Sequence, residues 1–119
     1  MTILVVDDDP KVLQFLKKAL TSAGYAVIVT DNARSAMSIL VHTPINLLIL
    51  DIMMPDVDGH GFCQLIRADP NIEYIPIIFL SALSSMDDMI TGMVSGADEY
   101  LTKPIHLNQL LETIQEYAM

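Results

Sequence analysis

Apolar and polar positions follow one another in blocks along this chain, not residue by residue. Ile3-Leu4-Val5-Val6, Leu47-Leu48-Ile49-Leu50 and Ile77-Ile78-Phe79-Leu80 are unbroken apolar runs. A strand with one wet face would alternate, so the runs predict short strands buried on both faces. Ala26 to Thr30 and Asp98 to Thr102 read as two further strands. Segments of helical period lie between them. Val12, Leu13, Leu16, Ala19 and Leu20 recur behind Asp9-Pro10, an N-cap followed by proline at the first helical position, and Gly24 stops that helix. A second helix runs around Asn32 to Val41 until Thr43-Pro44 breaks it, and a third runs from Asp58-Gly59 to about Ala68, before the Asp69-Pro70-Asn71 turn. Ser84-Ser85-Met86-Asp87-Asp88 offers capping-box pairs for a fourth, which Gly92 weakens and Gly96 ends. Lys103-Pro104 is expected to open a last helix, with Ile105, Leu107, Leu110, Leu111 and Ile114 as its apolar stripe.

Five alternations of strand and helix call for an α/β fold, a doubly wound parallel sheet with helices on both faces and right-handed crossovers. All strand C-termini then point the same way, toward the crevice where such sheets hold ligands. The residues at those ends are Asp7 and Asp8, Asp51, Ser81 and Lys103. They should meet although they are far apart in sequence, with Pro55 and Asp58-Gly59 turning the chain over the crevice. Three neighbouring carboxylates raise one another's pKa unless cations intervene. Lys103 supplies one positive charge, and an all-oxygen, partly hydrated site suits Mg2+ for the rest. A carboxylate held beside a metal, an ammonium and a hydroxyl suggests phosphoryl transfer to Asp51 itself, with Ser81 and Lys103 holding the developing charge.

Composition narrows the setting. At 119 residues and 13.2 kDa the chain fits one domain, 1–119, and with 52% hydrophobic but 6% aromatic residues its core is mainly aliphatic. The eight Met are expected mostly as core filler, and Cys63, the single cysteine, as a small buried apolar residue with no internal disulfide. His42, His60 and His106 lack metal-ligand spacing and read as ordinary histidines. No apolar run approaches the roughly 18 to 20 residues of a membrane span, and no basic-then-apolar leader is present, so the expectation is a cytoplasmic protein without a membrane partner. The net charge is −9 and uneven. Residues 1–67 hold five of the six basic residues against seven acids, whereas residues 68–119 hold eight acids and only Lys103. Such a surface repels phosphate backbones, which argues against direct nucleic-acid binding.

Four motifs in order carry a resemblance to the receiver domains of two-component response regulators: Val5-Val6-Asp7-Asp8; Leu50-Asp51-Ile52-Met53-Met54-Pro55 with Asp58-Gly59; Leu80-Ser81-Ala82; and Gly96 through Lys103-Pro104. The resemblance covers essentially the whole chain, with thirty residues from Asp51 to Ser81 and twenty-two from Ser81 to Lys103. It implies a flavodoxin-like sheet of strand order 2-1-3-4-5 and a cis Lys103-Pro104 peptide. It implies that Asp51 accepts a phosphoryl group from the phosphohistidine of a sensor histidine kinase or phosphotransfer protein. Asp7, Asp8, Asp51 and the backbone carbonyl of Met53 would bind Mg2+, and Ser81 and Lys103 would contact the phosphoryl oxygens. Tyr100 resembles the aromatic switch residue that turns inward as Ser81 moves, and the fourth helix, last strand and last helix would form the face that controls an output domain or partner. The chain would catalyse its own phosphorylation and slow dephosphorylation without being an enzyme acting on a separate substrate.

Receivers fused to winged-helix domains commonly pair through basic residues on that face. Here only Lys103 is basic after Arg67, so a monomer is expected before phosphorylation. An alternative is a magnesium-dependent phosphatase of the aspartyl-phosphate type, but such enzymes usually carry a second Asp two residues after the nucleophile, where this chain has Met53. A flavodoxin-like cofactor binder would need a Ser/Thr/Gly-rich loop after the first strand, where this chain has three acids.

Overall fold

The computed structural model describes residues 1–54 and 56–118. The elements run β1 (Thr2–Val6), α1 (Pro10–Ser22), β2 (Ala26–Thr30), α2 (Ala33–His42), β3 (Leu47–Leu50), α3 (Gly59–Ala68), β4 (Ile77–Ser81), α4 (Met86–Val94), β5 (Glu99–Thr102) and α5 (Leu107–Tyr117). The strands form one parallel sheet of order β2-β1-β3-β4-β5, as expected for the doubly wound fold. Pro55, predicted to help turn the chain over the crevice, lies outside the described residues.

The unbroken apolar runs are explained by two cores. Ile3, Val5, Leu47 and Ile49 point to the face covered by α1 and α5, where Leu13, Leu16, Leu20, Leu110 and Ile114 meet them. Leu4, Val6, Leu48 and Leu50 point to the other face, under Ala36 and Leu40 of α2 and Phe62, Cys63 and Ile66 of α3. Every side chain of β3 is buried, so no polar position could be spared. A fully buried Leu contributes about 1.5–3 kcal/mol over an exposed one, so the facing stripes of helix and strand dominate the stability.

Helix starts follow the local chemistry. Asp9 caps α1 by accepting from the Lys11 amide, Asn32 caps α2 through the Ser35 amide, and Asp58 caps α3 through the His60 amide. Ser85 and Asp88 form a complete capping box on α4. Gly59 packs so closely on β3's continuation that a Cβ there would stand 2.5 Å from the Ile52 Cα. That approach lets α3 begin directly beneath the strand end.

Three expectations are corrected. α5 begins at Leu107, not at Lys103-Pro104, because the Lys103 amide still donates to the Ser81 carbonyl at 2.7 Å, which holds the chain in the sheet, and His106 is extended as the N-cap. The Lys103-Pro104 peptide itself is cis, as the resemblance implied. β5 begins one residue late, at Glu99, with Asp98 engaged instead by the Arg67 guanidinium and the Ile77 amide. The methionines are not mostly core filler: Met54 is buried, but Met1, Met53, Met86 and Met93 are exposed.

Candidate functional site

β1 and β3 are neighbours in register, Val6 beside Leu50, so the residues that follow them emerge side by side. The Asp7 amide donates to Thr30 O and the Asp51 amide to Val6 O, which extends the ladder one step past each strand and fixes where the two carboxylates start. Asp7, Asp8 and Asp51 each place a carboxylate oxygen within 4.8 Å of the others. Asp7 and Asp51 are buried, and Asp8 is exposed at the rim.

Lys103 reaches this cluster from the end of β5, two strands away. Its Nζ donates to Asp7 Oδ2 at 2.9 Å and to Asp51 Oδ2 at 3.4 Å. The remaining oxygens are used too: Asp7 Oδ1 accepts from the Asp9 amide at 2.9 Å and Asp51 Oδ1 from the Met53 amide at 3.1 Å. Burial pushes the Asp51 carboxyl above its ordinary pKa, reinforced by Asp7 and opposed by the Met53 amide and Lys103. Burial pulls the Lys103 ammonium down, but the hydrogen bond and charge of Asp7, with Asp51 behind it, outweigh that and leave its pKa raised. Three carboxylates thus face one ammonium, a deficit of two positive charges. The donor set is all oxygen and partly open to solvent through Asp8, which fits a hard divalent cation such as Mg2+ and not a thiophilic one.

The fifth predicted residue, Ser81, ends β4 and is wholly buried. Its Oγ accepts from the Leu83 amide at 3.1 Å, and the Leu83 carbonyl accepts from the Tyr100 hydroxyl at 2.7 Å. Tyr100 is turned inward. Its ring stands edge-on to Phe79, 6.2 Å between centroids, and against α4 at Gly92, where a Cβ would lie 2.7 Å from the ring. Leu83 therefore links the Ser81 hydroxyl to Tyr100 through its own two backbone groups.

A groove of about 690 Å3 opens at the mouth of the cluster, lined among others by Asp8, Met53, Asp58, His60 and Leu83. Met53 lies there, 57% exposed. Sequence reasoning missed the packing of His60, whose ring stands edge-on to Phe79 and whose Nδ1 lies 3.3 Å from Ser95 Oγ. The Ser95 hydroxyl donates to Gly92 O at 2.7 Å, so its oxygen accepts from His60 Nδ1–H. His42 and His106 are exposed, and Cys63 is buried with its thiol pKa raised by that burial. A second cavity, about 470 Å3 between the α2–β3 and α3–β4 connections, lies at the opposite ends of the strands from the carboxylates.

Comparison with known proteins gives a consistent result. The family model described as "Response regulator receiver domain" matches residues 3–115. A curated relative, "Probable transcriptional regulator ycf27" of Cyanidium caldarium, is 42% identical over 113 residues, covering 95% of this chain and 44% of the relative. Another, "DNA-binding dual master transcriptional regulator RpaA" of Synechocystis, is 37% identical over 95% of this chain and 47% of its own length. The chain thus spans less than half the length of these relatives. Among solved structures, the receiver domain of the Francisella response regulator 1452 superposes with a TM-score of 0.91 at 32% identity, over 98% of this chain and 94% of that one. Chemotaxis protein CheY4 of Vibrio cholerae gives 0.90 at 28% identity, over 98% and 97%.

Proposed function

The chain belongs to the response regulator receiver domain family, and from that premise we propose that it is a magnesium-dependent phosphoacceptor whose Asp51 takes a phosphoryl group from a kinase or phosphotransfer phosphohistidine. The observation that carries this reading is the single ammonium of Lys103 shared between Asp7 at 2.9 Å and Asp51 at 3.4 Å within a cluster of three carboxylates. Asp7, Asp8 and Asp51, with the Met53 carbonyl, would hold the ion. When bound, Mg2+ supplies the two missing positive charges and neutralises charge developing on the phosphoryl oxygens.

The rest falls to the chain's own residues. Asp51 attacks phosphorus as the P–N bond to the donor imidazole breaks, and the electron pair leaves with the imidazole. The Met53 amide orients the nucleophile by donating to one of its oxygens. Lys103 already faces the other and can follow the charge outward. The Ser81 hydroxyl offers a further donor once it leaves the Leu83 amide. That exchange is the proposed switch, because Leu83 also holds Tyr100.

Phosphorylation adds about −1.5 to −2 charge, and reversing a 1:99 population needs roughly 5.5 kcal/mol, so the contacts of Ser81, Leu83, Tyr100 and Gly92 have to change together. The output face is α4, β5 and α5, and the unphosphorylated chain is a monomer. With a charge of −9, the chain itself leaves nucleic acid to other parts of any longer protein. No described helix is long and apolar enough to cross a membrane, and we place the protein in the cytoplasm.

The test is intact mass after incubation with acetyl phosphate and Mg2+. The wild type is expected to gain one phosphoryl mass that EDTA prevents, and Asp51→Asn none. A phosphoryl gain by the variant equal to that of the wild type would overturn the assignment.

A further inference from the structure

α3 turns one row of side chains toward the end of α4. His60, Cys63 and Arg67, spaced i, i+3 and i+7, share a face of that helix. Arg67 Nε and Nη2 donate to the Gly96 carbonyl at 3.1 and 2.9 Å, and a Cβ on Gly96 would stand 3.4 Å from Cys63 Sγ. His60 Nδ1 lies 3.3 Å from Ser95 Oγ, and that hydroxyl, buried at the C-cap of α4, gives its own proton to Gly92 O at 2.7 Å. At the other end of α4 the capping box of Ser85 and Asp88 is internal to the helix. His60 and Arg67 thus tie the last turn of α4 to α3.

Gly92 is the meeting point. Its carbonyl takes the Ser95 proton, and its missing Cβ makes room for the Tyr100 ring. Phe79 is the wall behind both sides, since the His60 and Tyr100 rings each stand edge-on to it, at 5.5 and 6.2 Å between centroids. The path His60–Ser95–Gly92–Tyr100 therefore reaches Tyr100 from α3, as Ser81–Leu83–Tyr100 reaches it from the crevice. Contacts of this kind carry coupling where the element they cross has two arrangements, and Tyr100 against α4 is that element in the switch described above. We propose that His60 is a positioning residue for phosphoryl capture: by donating to Ser95 it holds the last turn of α4 against Tyr100 in the inward arrangement, the one that occupancy of Asp51 selects. The role rests on the phosphoacceptor reading. The Ser95 oxygen, its proton given to Gly92, can only accept, so the bond fixes the neutral His60 ring as its Nδ1–H tautomer. Coupling is reciprocal, so a contact that favours the inward arrangement also favours the occupant of Asp51.

The experiment is NMR on the full chain. It takes 15N spectra of the His60 ring, and beryllofluoride titrations at saturating Mg2+ read at the Asp51 amide, for wild type, His60→Phe, Ser95→Ala and the double variant. His60→Phe keeps a ring beside Phe79 and removes the donor; Ser95→Ala removes the acceptor and leaves His60 in place. Neutral His60 is expected to carry its proton on Nδ1 in the wild type and to lose that preference in Ser95→Ala. Each single variant should weaken beryllofluoride binding about threefold to tenfold, the worth of one hydrogen bond. The double variant should lose no more than the worse single one, because both act through the same bond. A merely structural role would lower the melting temperature and leave the beryllofluoride affinity unmoved. His60 is partly exposed, so His60→Phe should fold even where Ser95→Ala does not, and the wild-type tautomer needs no variant. A neutral His60 protonated on Nε2 in the wild type, an unchanged affinity in folded His60→Phe, or losses that multiply in the double variant would each overturn the inference while the phosphoacceptor stands. A wild type that takes no beryllofluoride at Asp51 would remove both.

Discussion

Asp51 is held in a state of electrostatic tension. Its carboxyl is buried beside Asp7, its pKa is raised chiefly by that burial, and Lys103 answers only part of the charge. A carboxyl whose folded pKa exceeds its unfolded value contributes stability that is complete below the unfolded pKa, near 3.8, and is lost as pH rises through the folded one. At neutral pH without metal, ionised Asp51 is therefore a net cost. Asp51→Asn should raise the melting temperature in EDTA by a few degrees, on the order of 1 kcal/mol, with the gain vanishing below about pH 4. Added Mg2+ should reverse the order, because it binds the wild type and not the variant as tightly. Thermal melts at pH 4 and pH 7.5, with and without Mg2+, check this; a variant less stable than wild type in EDTA at pH 7.5 would contradict it.

At the scale of the element, Gly92 shows where sequence reading fails. Read along the chain it weakens α4 by roughly 1 kcal/mol relative to Ala. In the fold it is the gap that admits the Tyr100 ring, since an added Cβ would meet that ring at 2.7 Å and Phe79 at 3.1 Å. Gly92→Ala sets about 1 kcal/mol of helix propensity against an overpacking penalty of about 1–3 kcal/mol. Tyr100 is only partly buried and can yield, so the variant is expected to turn the ring outward, break its bond to Leu83 and change global stability by less than about 1 kcal/mol. Tyr100 ring shifts in NMR, read beside a denaturant titration, measure both. An unmoved ring with a full 1 kcal/mol gain in stability would contradict the packing argument.

The same contrast separates what was legible from what was not. Lys103 follows the mixed Glu99–Thr102 strand and was read from the alternation of strand and helix. The strand-end residues Asp7, Asp8 and Asp51 could be read because buried parallel strands write themselves as unbroken apolar runs, and whatever polar residue ends a run must lie at the crevice. Ser81 was legible in the same way, though its bond to Leu83 was not. The face of α4 was invisible: Met86, Ile90 and Met93 at helical spacing look like core, yet in the fold all three are exposed. His60 and Ser95 were equally hidden, because their meeting depends on how α3 and α4 lie on Phe79. The start of α5 was misplaced because Lys103 belongs to the sheet's hydrogen bonding, a tertiary constraint that outweighs a local Lys-Pro signal. Gly61, early in α3, has no packing reason, since a Cβ there would meet nothing within 4 Å.

Over the whole molecule, charge is sorted by place. Three of the six basic residues lie on α1, as Lys11, Lys17 and Lys18; Arg67 is spent on Gly96, Asp98 and Ile75; and Lys103 is inside the acidic cluster. The α4, β5 and α5 side is left acidic, and the crevice is left two positive charges short. That shortfall, placed at the one point where three strand ends meet, is the central claim, and trapping the acyl phosphate tests it most directly. After acetyl phosphate and Mg2+, borohydride reduces an aspartyl phosphate to homoserine, which tandem mass spectrometry locates in the chain. The expected result is homoserine at position 51, absent when EDTA replaces Mg2+; homoserine at position 7 or 8 instead, or labelling at 51 that ignores the metal, would contradict the account.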